Sequence, residues 1–421
     1  MLEIKNISEY RPIQLSAQTS QKVVSDTKAI IDDVINRRDQ ALLDMTLKFD
    51  KVKLERLRVP IESIEASLDK LDSRLMGIYQ KAIENITEYH HNTKLESWEK
   101  TYEDGSVIGM KVTPIDRAGV YIPGGKAVYP STVFMNIIPA QIAGVSSIAV
   151  VSPPSWNGEP HPLVLASCAL LEVDEVYAIG GAQSIAALAY GTDSVEAVDK
   201  ITGPGNQYVS EAKRQVFGTV GIDSIAGPSE IAILHDDPDT PPEFIAHDMI
   251  AQAEHDEEAK CVLITTIPDT AAKVREIILE KLDKIPRSEI VSASLSDHGA
   301  IYTCASFEDG AELINQIAPE HLEIFTKNDS KLSLIRNAGA IFIGDWSGVA
   351  VGDYYAGPNH TIPTKRAARY ASPLTVADFQ KKSSLINYSQ IRLAAQAESI
   401  AVFAESEELH GHAESMRVRL D

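Results

Sequence analysis

From about residue 20 to 97, apolar residues recur at intervals of three and four with charges between them, as in VVSDTKAIIDDVINRRDQALLDMTLKF and LMGIYQKAIENITEYH. That period predicts long amphipathic helices. From about 107 the texture changes. Short strand-like runs (AGVYI, SIAVVS, EVYAI, EIAIL, CVLITT, HLEIF, AIFIG) alternate with helical stretches and Gly/Pro turns. The alternation predicts an α/β protein with mainly parallel sheet. There are more strands than one sheet of ordinary size needs, so two α/β units are expected. The expected parts are an N-terminal arm over 1–22, a first unit joining 23–115 to 232–376, a second unit over 116–231, and a tail over 377–421. The Asp/Pro cluster DDPDTPP at 236–242 marks the expected crossover. The tail shows helical pattern and no further strands. It cannot build its own core, so it is expected to pack on something else, such as a partner subunit.

Composition narrows the function classes. The 421 residues carry a formal net charge of −21, which argues against nucleic acid and anionic membrane as partners, since both are bound through excess positive charge. The three cysteines are far apart and form no CxxC, which suits a reducing, cytoplasmic setting. The start, MLEIKNISEYR, has no apolar signal core. The longest apolar stretch is broken by Asn136, Pro139 and Gln141, so no membrane span is expected.

Several segments can carry chemistry. ITGPGNQYV gives a partial G-x-G from Gly203 and Gly205, with Tyr208 where a third glycine would complete the dinucleotide fingerprint. Gly124 and Gly125, and Gly180 and Gly181, stand in similar strand-to-helix positions. Each is also an ordinary turn, but together they can turn backbone N–H groups toward a phosphate-bearing ligand. In FIAHDMIAQAEHDEEAK, Gln252 and His255 share a face if the segment is helical. An oxygen and an imidazole at that spacing can hold a divalent metal, although helices carry such pairs for no such reason too. His247 reads as solvent-facing. Asp353 follows Gly352 and reads equally as a turn residue. Glu407, His410 and His412 form an acidic/His cluster in the tail that would ordinarily be solvated. IAPEHLEIFT sets Glu320 beside His321 at the mouth of a strand, where neighbours point to opposite faces.

Taken together, YIPGGKAVYPSTV, GGAQSIAALAYGTDSV, DKITGPGNQYVSEAKRQVFG, IDSIAGPSEI, AQAEHDEEA, APEHLEIFT, AGAIFIGDWSG, GDYYAGPNHTIPT and LHGHAESMRVR closely resemble the histidinol dehydrogenase family, in the family's order. The resemblance covers nearly the whole chain. It implies two Rossmann-like parallel-sheet domains, a helical N-terminal part, and an extended helical tail exchanged in a homodimer. It implies one zinc ion per subunit and an activity that oxidises L-histidinol to L-histidine through the aldehyde with two NAD in sequence. Carried over residue by residue, the zinc ligands are Gln252, His255, Asp353 and His412, and the proton-transfer pair is Glu320 and His321. Ser229 and Glu407 join His321 and the metal ligands around the substrate, with Glu407 and His412 completing the partner's site. Tyr121, Gln183 and Asn206 contact NAD.

The residues themselves suit that chemistry. Removing four electrons from one carbon requires a hydroxyl to be deprotonated and, midway, a water to be added. His321, with an ordinary pKa of about 6.5, suits the first task. Glu320, approaching from another side, suits the second. A relative acting on a different alcohol would share the machinery, but YPSTVFMNIIPAQIAGV and ARYASPLTVADF resemble the histidinol-using branch. Lys365 and Arg366 depart from the family, which favours glycine or small residues there. His410 falls outside its pattern, and His360 matches it with no role beyond substrate positioning.

Overall fold

The structure, a computed structural model, describes residues 2–11, 20–124 and 128–420. Gly125, and 12–19 of the expected N-terminal arm, lie outside the described residues. After strand β1 (Ile4–Asn6), Ser20 caps helix α1 (Gln21–Arg37) by accepting from the Val23 amide. The helix buries Val23, Thr27, Ile31 and Val34, one stripe at the predicted spacing. Arg38, at φ 51°, turns the chain into α2 (Asp39–Phe49). Helices α3 (Ile61–Ala66) and α4 (Ser73–His91) follow, the latter capped by Asp72 on the Leu75 amide. Strands β2 (Trp98–Thr101) and β3 (Val107–Pro114) come next. The chain forms two compact units, Met1–Thr93 with Asp116–Phe379, and Lys94–Ile115 with Gln380–Asp421.

The first unit contains two parallel sheets. One is built from β4 (Arg117–Tyr121), β5 (Ser147–Val151), β6 (Val176–Tyr177), β7 (Lys200–Thr202) and β8 (Gly221–Ile222), in the order β6-β5-β4-β7-β8. Its crossovers run through α5 (Pro130–Ala143), α6 (Pro162–Leu170), α7 (Gly181–Tyr190) and α8 (Gln207–Val216). The winding reverses between β4 and β7, and the carboxyl ends of such strands open a crevice where ligands bind in open α/β sheets. Helices α1 and α2 pack with α7 and α8 around Ile31, Leu42, Ile185 and Val209. A second core, around Ile64, Ile86, Phe134 and Leu165, joins α3 and α4 to α5 and α6.

The other sheet takes β9 (Glu230–His235), β10 (Lys260–Thr265), β11 (Gly299–Thr303), β12 (His321–Phe325) and β13 (Ala340–Ile343). Its order is β1-β11-β10-β9-β12-β13, all parallel, so the same winding recurs with β1 added at one edge. Helices α9 (Pro242–Ala253), α10 (Pro268–Lys281), α11 (Ser288–Asp297), α12 (Phe307–Ile317) and the short α13 (Val349–Tyr354) complete it. The Asp/Pro cluster 236–242 is the turn from β9 into α9. The passage between sheets is instead the stretch 223–229 that joins β8 to β9.

The second unit corrects the expectation of a tail without strands. The tail opens with β14 (Gln380–Asn387), which pairs antiparallel along all of β3, and β3 pairs in turn with β2. Lys382, Ser383 and Ser384 face solvent, so this strand lacks the apolar alternation that marks one in sequence. Helices α14 (Gln390–Ser406) and α15 (His410–Arg417) follow, joined by Arg417 to Glu398 (3.0 Å) and Glu405 (2.6 Å). Among the described residues, no helix is long and apolar enough to cross a membrane.

Candidate active site

The Glu320–His321 pair stands at the amino end of β12. Helix α12 ends on Ala318, in the left-handed region at φ 49°, and Pro319 then starts the extended segment. Both side chains are buried, 6% and 5% exposed. One neighbouring residue holds both of them. The amide of Glu230 donates to the Glu320 carboxylate at 2.8 Å, and its carbonyl accepts from His321 Nδ1 at 3.1 Å. The proton on Nδ1 is thereby engaged. Nε2 faces inward with no hydrogen-bond partner, 3.7 Å from Asp353 Oδ1. The Glu230 carboxylate is occupied elsewhere, by Lys260 at 2.9 Å.

Burial pushes the Glu320 carboxyl up to about 7, only partly offset by His321 and the Glu230 amide. For His321, burial favours the neutral ring, but Glu320 and Asp353 outweigh it and hold the imidazole up at about 9. For Asp353, burial opposes ionisation, yet His321, His360 and His255 keep the carboxyl below its ordinary value.

Asp353 lies on α13, whose amino end is fixed when the Val349 amide donates to the buried Glu323 carboxylate (3.0 Å). Glu323 is two residues beyond His321 on the same strand face, opposite Asp248 of α9. Burial and the Asp248 charge raise its pKa, so this pair holds a proton. Gly352 packs against Phe342, whose ring would lie 2.6 Å from an added Cβ. His360 ties the Asp353 carbonyl (3.0 Å) to the Thr132 hydroxyl of α5 (3.3 Å), which gives it a positioning role between the two sheets.

Gln252 is buried at the end of α9, with both amide atoms lacking a partner. The helix stops at Ala253, so His255 follows it in a turn, its amide on the Gln252 carbonyl (3.3 Å), and does not share a continuing helical face as expected. His255 keeps solvent access, and partial burial of the ring lowers its pKa, so it is neutral. Among the described residues, no three His, Cys, Asp or Glu side chains gather to hold a metal by themselves. The donors available in this unit are an amide oxygen, a neutral imidazole and a carboxylate. Orphaned amide atoms on Gln252 and an ionised Asp353 fit a divalent ion that takes nitrogen and oxygen ligands.

Ser229 lies just before β9, partly buried, and its carbonyl accepts from the Lys260 amide at 3.0 Å. Lys365 and Arg366 both have positive φ, 53° and 65°, a region that favours glycine, and Lys365 lies across Gly227. Glu407 and His412 belong to the second unit, exposed at the corner between α14 and α15. His410 is exposed there too. His247 is exposed, as expected.

The glycine-rich turns all follow strands of the five-stranded sheet. Tyr121, at the end of β4, is where they meet. Its hydroxyl accepts from the Gly181 amide at 3.4 Å, and its carbonyl leaves no room for a side chain on Gly203. Burial raises its phenol to about 12. Gly124 and Gly180 both pack on Pro153, which sequence reasoning missed. Gln183 is buried in the first turn of α7, and its amide would lie 2.7 Å from a Cβ on Gly181. Asn206 caps α8, its oxygen accepting from the Tyr208 and Val209 amides at 2.9 and 3.2 Å, which leaves its NH2 group outward.

Comparisons with known proteins show which family the chain and its fold are similar to. Residues 13–420 match the family described as Histidinol dehydrogenase. The chain is 48% identical to histidinol dehydrogenase of Bacillus subtilis (strain 168) over 416 residues, covering 99% of this chain and 96% of that one. It is 45% identical to the histidinol dehydrogenase of Chlorobaculum tepidum over 400 residues, covering 94% and 93%. The crystal structure of histidinol dehydrogenase from Elizabethkingia anophelis superposes with a TM-score of 0.94 at 34% identity, covering 100% of this chain and 98% of that one. This chain belongs to the histidinol dehydrogenase family, and it is an oxidoreductase.

Proposed function

We propose that the protein oxidises L-histidinol to L-histidine by way of L-histidinaldehyde, using two NAD, one zinc ion per subunit and a site completed by a partner's tail. The observation that carries this is the Glu230 backbone, which fixes Glu320 and His321 while leaving His321 Nε2 free. Gln252, His255 and Asp353 would hold the zinc with His412. The bound ion would anchor the imidazole and amine of the substrate and so orient its carbinol. NAD, lying against Tyr121, Gln183 and Asn206, would accept the hydride of each oxidation.

The chain's own residues account for the protons. Nε2 of His321 takes the hydroxyl proton as the carbon gives up hydride, which leaves the aldehyde. Glu320 then takes a proton from water as its oxygen adds to the carbonyl, and the resulting diol is deprotonated and oxidised by the same route. The sum is one alcohol, one water and two NAD going to one carboxylate, two NADH and three protons. When Asp353 serves as a metal ligand, one of the two carboxylates that hold the His321 ring charged is engaged elsewhere, which shifts the ring toward its neutral, basic form while Glu320 still opposes that shift. Ser229 and Glu407 stand for contacts to the substrate's polar groups.

The test is the yield of NADH per L-histidinol at completion, with and without a chelator. Two NADH, lost on chelation and restored by zinc, is the expected result. One NADH would reduce the protein to a simple alcohol dehydrogenase.

A further inference from the structure

Lys213 is 2% exposed, and it is among the largest side chains buried in the protein. It lies on α8, ten residues past the glycine that opens the preceding turn. Its ammonium donates to the Gly203 carbonyl at 2.7 Å and pairs with Asp223, just beyond β8. The other oxygen of Asp223 accepts from the Gly203 amide at 2.8 Å. Both polar groups of Gly203 are therefore gripped by one buried ion pair. Gly203 itself, at φ +111° and against the Tyr121 carbonyl, tolerates no side chain.

A buried ion pair is an expensive way to hold a helix on a strand, since well-packed apolar residues do so as well or better. What an apolar pair cannot do is fix the direction of a peptide's donor and acceptor. The peptides on either side of Gly203 open the turn at the winding reversal between β4 and β7. The other two glycine turns have no such clamp among the described residues.

We propose that Lys213 and Asp223 are positioning residues for the dinucleotide. They set the 203–206 turn, and with it Asn206, without touching the cofactor. This rests on the reading that NAD binds at the carboxyl ends of β4 and β7.

The test compares wild type with the double variant Lys213→Met, Asp223→Leu, which leaves no buried charge behind. Rates are measured against NAD and against L-histidinol separately, with calorimetric NAD binding and thermal unfolding alongside. The expected result is an NAD KM raised about tenfold to a hundredfold, with kcat, the L-histidinol KM and Tm close to wild type. An unchanged NAD KM in a folded variant overturns the proposal and leaves the cofactor site standing. A uniform loss across kcat and both KM values, with a fallen Tm, assigns the pair a structural role and also overturns it. Absence of NAD binding to the wild type overturns both readings. If the double variant does not fold, Asp223→Asn takes its place. It keeps the shape and weakens the grip, and a selective rise in NAD KM supports the proposal where an unchanged value defeats it.

Discussion

At the scale of single residues, the site is a problem in holding charge where water is scarce. Glu320 and His321 are adjacent in sequence and one residue of β9 grips both, through its amide and its carbonyl, which leaves one imidazole nitrogen idle. Glu320→Gln should therefore oxidise L-histidinol as far as the aldehyde and stall. The stopped step should be slower by about 10²–10⁴. Histidinaldehyde supplied directly would show the block, and equal slowing of both half-reactions would refute the division of labour. Glu323 makes a second prediction. Its pKa in the fold is raised, first by burial and then by Asp248, so the folded protein binds this proton more tightly than the unfolded chain does. Stability from this source is fullest below the ordinary carboxyl value of 4.5. It falls as pH rises toward the raised value, by at most about 1.4 kcal/mol per pH unit. Glu323→Gln should flatten that decline when thermal unfolding is compared at mildly acidic and mildly alkaline pH. Neither grip was legible in the sequence, because backbone groups carry no letter. The PEH triplet was legible, and so were the donor types.

At the scale of elements, what could be read depended on whether burial wrote itself into the pattern. The apolar runs of β4, β5, β9, β10 and β12 stand out because both faces of a parallel sheet are covered, whereas edge strand β13 is apolar with Ile341 and Ile343 exposed. Strands β2 and β14 are largely exposed and polar, so they left no such trace. An amphipathic stripe also does not name its partner. Helices α1 and α2 turned out to pack with α7 and α8. Helix α13 shows how an element with almost no pattern can still be tightly determined. It is pinned at its amino end by Glu323, at the Asp353 carbonyl by His360, and along its side by Phe342 against Gly352. Gly352→Ala should push the Phe342 ring or the helix aside at a cost of about 1–3 kcal/mol. Displacement of Asp353 should weaken zinc retention more than it lowers Tm. Zinc content after dialysis, set beside a melting curve, separates the two.

At the scale of the whole molecule, the second unit presents Ile386, Ile391, Phe403 and Val418, each more than 60% exposed. Large apolar side chains left open to solvent on so small a unit would gain from burial against another surface. That exposure supports the proposed dimer, in which one chain's His412 serves the other's Asp353. Co-expressing His321→Asn with His412→Asn, each inactive alone, should then recover about a quarter of wild-type activity. Half of the randomly mixed dimers would carry one intact site of two. No recovery in mixed dimers would mean that each chain completes its own site.

The edge position of β1 has a consequence for how the chain comes to be folded. The five-stranded sheet and the helices that cover it are drawn from 21–222, so this part can close during synthesis while later residues are still being added. Strand β1 lies ahead of all of this in the chain, and its partner is β11, at Gly299–Thr303. At ordinary synthesis rates it waits roughly 15–60 s for that edge to exist. During that interval Ile4–Asn6 is an unpaired strand beside a growing chain, the kind of segment that chaperones hold, and its docking closes the larger sheet only after most of the protein has been made.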